Sequence, residues 1–279
     1  MQDKLLEHRT DLSSKPQLSD NVYNRISEIL YNIAGIYLGD NEKELVKGRI
    51  FKRMSQLNIL DYDEYMKIVE NDYNEMYRMI DILTTNKTDF FREREHFEFL
   101  KNEIFPYFKN KRLVIWSAGC SNGKEPYSIA MEIDSYFDDK KEKKILATDI
   151  SQRVINYAKN GEYSDDEMGG VNFEYIKKYF EFDKNKKIYK INQKIKNYVS
   201  FAVLNLMDNW PMKGPFDVIF CRNVMIYFDR YTQEKLVNRF YDILSYGGYL
   251  FIGHSESLHG INHNYRYIKP AIYKKEIKQ

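Results

Sequence analysis

From Ser19 to about Leu83 apolar residues recur at steps of three and four, the spacing of one helical face. Val22, Ile26, Ile29, Ile33 and Ile36 predict one helix, and Val46, Ile50, Met54 and Leu57 a second. Asp61 with Glu64 three residues on has the form of a capping box and predicts the start of a third. Met76, Ile80 and Leu83 mark a fourth. Short polar loops separate these stretches, so residues 1–83 read as an all-α N-terminal domain.

Beyond Pro106 the period changes. Five short apolar runs, "RLVIWSA", "KKILATDI", "NYVSFAVLNL", "PFDVIFCRN" and "GGYLFIGHS", alternate with helical stretches, which predicts a parallel α/β sheet over residues 106–279. "YRYI" and "AIYKKE" flank Lys269-Pro270 with no room for a helix and predict a terminal antiparallel hairpin. The Lys-rich stretch from about 165 to 197 interrupts the alternation, and its "KIYKINQKI" predicts a small β insertion.

Composition narrows the partners. Lys+Arg 43 nearly balances Asp+Glu 41, so no basic excess points to nucleic acid. Two cysteines, Cys120 and Cys221, stand in no metal-ligand spacing, and the histidines form no ligand pair, so no metal site is expected. The N-terminal stretch lacks a signal-peptide core, and no run is long enough to span a bilayer. A soluble, cytoplasmic protein is expected.

The loop in "VIWSAGCSNGKEPYS" carries the chemistry. Gly119 and Gly123 have three residues between them, where a P-loop needs four. Lys124 is followed by Glu125 rather than a hydroxyl, and the third glycine of a dinucleotide loop is missing. A carboxylate at a helix mouth repels pyrophosphate, so Glu125 suits a cationic ligand without phosphate. Asp149 ends the second strand, where an acid can accept both ribose hydroxyls. Asn205 and Leu206 end the third strand and offer a polar and an apolar group to an adenine. Asn223 and Val224 end the fourth, next to the first loop in a doubly wound order. Taken singly, Glu125 and Asp149 read as helix caps. Together they describe an adenosine bearing a positive charge, which S-adenosylmethionine satisfies.

"LTTNKTDFFR", "GCSNGKEPYSIA", "TDIS", "FCRNVMIYFD" and "GHSES" resemble the chemotaxis receptor glutamate O-methyltransferases, the CheR family, along nearly the whole chain. The resemblance implies a Rossmann-like class I methyltransferase sheet behind the helical domain, with residues 84–105 a linker reaching the cofactor site. It implies S-adenosyl-L-methionine as cofactor, S-adenosyl-L-homocysteine as product, and contacts from Asn86, Thr88, Arg92, Glu125, Asp149, Asn205, Leu206, Asn223 and Val224. It places Arg92 and Tyr227 near the reacting groups. The substrate implied is glutamate on the cytoplasmic helical bundle of methyl-accepting receptors, with the enzyme recruited to membrane receptors but not inserted. Lys124 departs from the family pattern, which usually has a second Glu there.

Such a reaction fits what the chain lacks. A glutamate is already ionised at neutral pH, so direct displacement at the sulfonium methyl needs neither general base nor metal. Arg49, Lys52 and Arg53 fall within one arc of a helix and form a candidate docking patch for an acidic receptor helix, or a merely solvated face. "FEFDKNKKIYKI" lacks the glycine-rich loop with which some family members dock a receptor tail, so receptor capture without a tail tether is expected. Two other readings use the same sheet: a methyltransferase of another substrate, and an inactive cofactor-sensing binding protein.

Overall fold

The computed structural model describes residues 16–84, 87–138 and 141–276. Its described residues fall into two compact units, one reaching to Asn32 and resuming over Leu38–Thr84, the other made of Ile33–Tyr37 and the chain after Thr84.

The first unit is helical. It contains most of α1 (Asp20–Ala34), with α2 (Lys43–Gln56), α3 (Tyr62–Asn71) and α4 (Tyr73–Leu83). Val22, Ile26, Leu30, Val46, Ile50, Met54, Tyr65 and Met66 close its core. Asp61 caps α3 by accepting from Glu64 N at 2.9 Å, and Asp72 caps α4 through Asn74 N at 2.8 Å. One expectation fails. Ile36 is not on the α1 face, because the helix ends at Ala34 and Gly35 follows at φ +70°, the left-handed stop of a helix C-terminus. Ile36 instead forms a bridge to Phe228 in the second unit, to which it belongs.

The second unit is a sheet wrapped by helices. It opens with α5 (Arg94–Phe99), β1 (Leu113–Ala118), α6 (Lys124–Tyr136), β2 (Lys143–Asp149) and α7 (Gln152–Asn160). An insertion follows with β3 (Glu162–Ser164), α8 (Phe173–Tyr179), β4 (Phe180–Asp183), β5 (Ile188–Ile191) and α9 (Gln193–Lys196). The sheet resumes with β6 (Val199–Val203), β7 (Phe216–Cys221), α10 (Arg230–Ile243), β8 (Leu244–Ile252), β9 (Tyr265–Lys269) and β10 (Ile272–Lys275).

The seven-stranded order is β6-β2-β1-β7-β8-β10-β9. β6, β2, β1, β7 and β8 run parallel, while β10 is antiparallel to both β8 and β9, giving the expected hairpin. Strand order reverses between β1 and β7, the switch point where ligands bind in such sheets. In the insertion expected from about 165 to 197, β4 and β5 are joined by β3 from just before it, and β3, β5 and β4 form a separate three-stranded antiparallel sheet. Buried residues fill both faces of the large sheet, with Ile115, Ile129, Ile133 and Phe220 on one side and Trp116, Ile219, Phe240 and Leu250 on the other.

Candidate active site

The loop after β1 is bent by its glycines. Gly119 sits at φ +80° and Gly123 at φ +89°. A Cβ on Gly119 would run into the Val224 side chain, so the residue must be glycine for the β1 and β7 loops to meet. Gly119 N and Cys120 N both donate to Thr148 O at 2.8 Å, which ties the loop to the end of β2. Asp149 completes the tie: Oδ2 accepts from Ser121 N at 2.8 Å and Oδ1 from Ser151 N at 3.0 Å. Asp149 is thus a backbone cap, and it also lies against the glycine loop. Leu204 N donates to Asp149 O at 2.9 Å, so the end of β6 joins the same corner. Within the loop, Asn122 Oδ1 is buried without a hydrogen-bond partner, an acceptor placed for a ligand.

Glu125 opens α6 and is 11% exposed. Ser117 Oγ donates to one of its oxygens at 2.7 Å and Arg222 Nη1 to the other at 3.0 Å. Burial pushes its carboxyl above the usual glutamate range, and Arg222 and Ser117 pull it back only in part. Arg222 also reaches Glu93 Oε2 at 3.1 Å and donates to Arg92 O. The linker is anchored further by Phe91 N, which donates to Ser128 Oγ at 3.0 Å, and by Phe90 and Phe91, both buried among aromatic rings. Lys124, 4% exposed, directs Nζ toward Thr88 O at 3.4 Å and Glu167 Oε1 at 3.5 Å. The lysine that departs from the family pattern therefore bonds the linker to the β insertion.

Glu256, from "GHSES", shapes the loop after β7. It accepts from Asn223 N at 2.9 Å, Gly253 N at 2.5 Å and Ile226 N at 3.2 Å. These bonds hold Asn223 at φ +58°, a conformation that needs external support. Tyr227 is half-buried, with its carbonyl accepting from Tyr37 N at 2.8 Å. Asn205 donates to Ile33 O at 2.6 Å and accepts from Met207 N at 3.0 Å, so its side chain already fixes the turn after β6. Leu206 is buried in the same core cluster as Trp116.

The sequence-derived residues thus divide. Thr88, Arg92, Glu125, Asp149 and Val224 are joined through the contacts above, with Asn223 beside Val224. Asn86 lies outside the described residues. Arg49, Lys52 and Arg53 belong to the helical unit. There Arg53 grips Glu75 with two nitrogens, at 2.8 and 2.5 Å, and Arg49 Nη1 donates to Leu83 O at 2.7 Å. Lys52 is exposed. Ser117, Asn122, Arg222, Glu93 and Glu256 were not singled out by sequence reasoning. "FCRN" and "GHSES" contain two of them, but motif membership does not reveal which side chains point inward.

Among the described residues, Glu93, His96 and His254 bring one ligand atom each within 4.8 Å of one another. Arg222 bonds the same Glu93 oxygen that faces His96. Burial, with Arg222, His254 and Lys269 nearby, pushes His96 down to about 2, so its imidazole is neutral. With its Oε2 already engaged by Arg222, Glu93 is a poor ligand for a metal cation. Cys120 and Cys221 are buried free thiols, raised by burial and without nucleophilic character.

The corner at β1, β2 and β7 fits a cationic adenosine cofactor: a glycine cradle, an unpartnered Asn122 acceptor, an acid at the second strand tip, and a buried carboxylate at the helix mouth. Comparison with known proteins agrees. Residues 21–84 match the family described as "CheR methyltransferase, all-alpha domain". Residues 86–273 match "CheR methyltransferase, SAM binding domain". The chain is 41% identical over 267 residues to the chemotaxis protein methyltransferase of Borreliella burgdorferi, covering 90% of this chain and 93% of the relative. Against that of Escherichia coli it is 35% identical over 268 residues, covering 94% and 93%. With the probable chemotaxis protein methyltransferase of Rhizobium etli it shares 39% over 243 residues, covering 83% and 91%. The chain belongs to the CheR methyltransferase family.

Proposed function

We propose that this protein transfers the methyl group of S-adenosylmethionine to glutamate side-chain carboxylates of methyl-accepting chemotaxis receptors, the methylation step of sensory adaptation. The observation that carries this reading is the convergence of the glycine loop, Asp149 and the Arg92–Glu93 linker at the β1/β7 switch point, in a chain matched at both ends by one methyltransferase family.

S-adenosylmethionine, when bound, supplies an activated methyl group on a sulfonium. The chain's residues bind and orient. Asp149 would accept from the ribose hydroxyls, and Glu125 would face the cationic end. Arg92 presents its guanidinium to a carboxylate, with its backbone held by Arg222. Tyr227 lies in a loop held by Glu256 and Tyr37, from which it would donate a hydrogen bond or pack its ring beside the methyl group. No residue need take a proton, because the acceptor carboxylate is already ionised. What remains is alignment and exclusion of water.

Receptor docking is assigned to the α2 face, and chiefly to exposed Lys52, because Arg49 and Arg53 already bond within the helical unit. The β4–β5 hairpin turns through residues 184–187, which contain no glycine, and the reading of receptor capture without a tail tether rests on that missing glycine-rich loop. The test is methyl incorporation by the purified protein into receptor-containing membranes, tRNA and small carboxylic acids. Incorporation into receptor protein alone supports the reading, and preference for either of the others defeats it.

A further inference from the structure

The geometry points to Arg222 as a positioning residue for methyl transfer: one buried guanidinium clamps the linker to the mouth of α6 and so sets where Arg92 and Glu125 meet the cofactor. The inference rests on the reading of those two residues as cofactor contacts.

Four observations support it. Arg222 has a side chain only 3% exposed. Its partners come from distant parts of the chain: Glu125 lies 97 positions away, and Glu93 and Arg92 lie 129 and 130 away. A single planar fork therefore joins the end of β7, the linker and the first turn of α6. Every donor nitrogen is engaged: Nη1 on Glu125 Oε2 at 3.0 Å, Nε on Glu93 Oε2 at 3.3 Å, and Nη2 on Glu93 Oε2 at 3.1 Å as well as on the Arg92 carbonyl. Glu93 is held from its other side, where Oε1 accepts from His254 N at 3.1 Å, and its backbone is left-handed at φ +58°. That conformation is costly for a glutamate and persists only where neighbours impose it.

Charge points the same way. Two carboxylates share one guanidinium, so the group carries one net negative charge. S-adenosylmethionine carries one net positive charge, and S-adenosylhomocysteine, having lost the methyl and the sulfonium charge, carries none. The clamp therefore favours the donor over the product while keeping the two acids from repelling each other. A surface-type arginine would do neither. Arg222 touches no reacting atom in this scheme and acts through Arg92, Glu93 and Glu125.

The experiment uses the full chain and two variants. Arg222→Lys keeps the charge and loses the fork. The double variant Arg222→Met with Glu93→Gln removes the bridge together with the Glu93 charge, and leaves Glu125 bonded to Ser117. Binding of S-adenosylmethionine is measured by calorimetry and folding by thermal melting, with kcat and KM taken separately. The expected result is a dissociation constant raised about tenfold or more in a variant whose melting temperature stays near that of the parent, because lysine cannot span three partners. Both variants leave the net charge of the group at minus one, so affinity for S-adenosylhomocysteine should fall in step, whereas Glu125→Gln, which removes that charge, should weaken S-adenosylmethionine more than S-adenosylhomocysteine. Parental affinity in both variants overturns the proposal. So does a loss of affinity that only follows loss of melting temperature. Glu125→Gln, measured alongside, separates the two claims. Parental affinity there removes the site reading itself, whereas weakened Glu125→Gln beside parental Arg222→Lys removes only the clamp.

Discussion

Asp149 Oδ2 accepts the backbone N–H of Ser121 at 2.8 Å, across 28 residues of chain. The same carboxylate accepts from Ser151 N, so one acid shapes two loops. Asp149→Ala leaves both donors without this acceptor and should lower stability and cofactor affinity together, each by about 1.5–3 kcal/mol. Asp149→Asn keeps one acceptor oxygen. It should melt closer to the parent while still binding S-adenosylmethionine more weakly, which calorimetry and thermal melting on both variants will show.

Glu125 gives the pH dependence. Burial raises its folded-state value above the unfolded one, against the pull of Arg222 and Ser117. In the free protein this group's contribution to stability is therefore greatest below the unfolded value and is lost as pH rises through the folded one. Cofactor affinity runs the other way, because a cationic ligand needs the ionised acid. Affinity should fall as pH drops through the raised value, starting above the ordinary glutamate value of about 4.3. Dissociation constants measured between about pH 5 and 8 should show this fall in the parent and not in Glu125→Gln.

Lys124 links Thr88 O and Glu167 across the linker and the insertion, with Phe90 and Tyr163 rings about its ammonium. Lys124→Met keeps the apolar stem and should cost about 1–2 kcal/mol. Lys124→Glu sets a like charge against Glu167 and should cost more. Chemical denaturation ranks the two, and the opposite order would remove the Lys124–Glu167 bond as the cause.

How much of this was legible in the sequence depended on whether neighbours along the chain or across space decide the outcome. The parallel strands, the hairpin and the glycine loop follow from local pattern, and Val224 meeting Gly119 follows from the doubly wound order. Ile36 was misplaced because a period of three and four carries on across Gly35, while the backbone turns there at φ +70°. Of the insertion's strands, β4 and β5 fall inside the stretch expected from its pattern, while β3, 3 residues long and just before it, shows no alternation of its own. Arg222 and Glu256 were invisible as functional because burial of a charge depends on partners far away in sequence. Arg53 looked like a free surface charge for the same reason, since Glu75 lies 22 residues on.

That last pairing changes how docking is tested. Arg53 and Glu75 have side chains 19% and 8% exposed, and Tyr65 OH donates to the same acid at 3.0 Å. Arg53→Ala should destabilise the helical unit by about 2 kcal/mol or more, so its kinetic effect would not report docking. Lys52→Glu should leave the melting temperature unchanged, raise the receptor KM and flatten its salt dependence. An unchanged receptor KM in Lys52→Glu removes this face from substrate recognition.

The central claim is that the corner built from Gly119, Glu125, Asp149 and the Arg92 linker delivers a methyl group to a receptor glutamate. Mass spectrometry of receptor cytoplasmic fragments, incubated with the purified protein and S-adenosylmethionine, tests it directly. The account predicts methyl esters on glutamate side chains, released by mild alkali as methanol, and absent with Asp149→Ala. Alkali-stable methylation on lysine or another residue, or no transfer by a protein that binds S-adenosylmethionine, would contradict it.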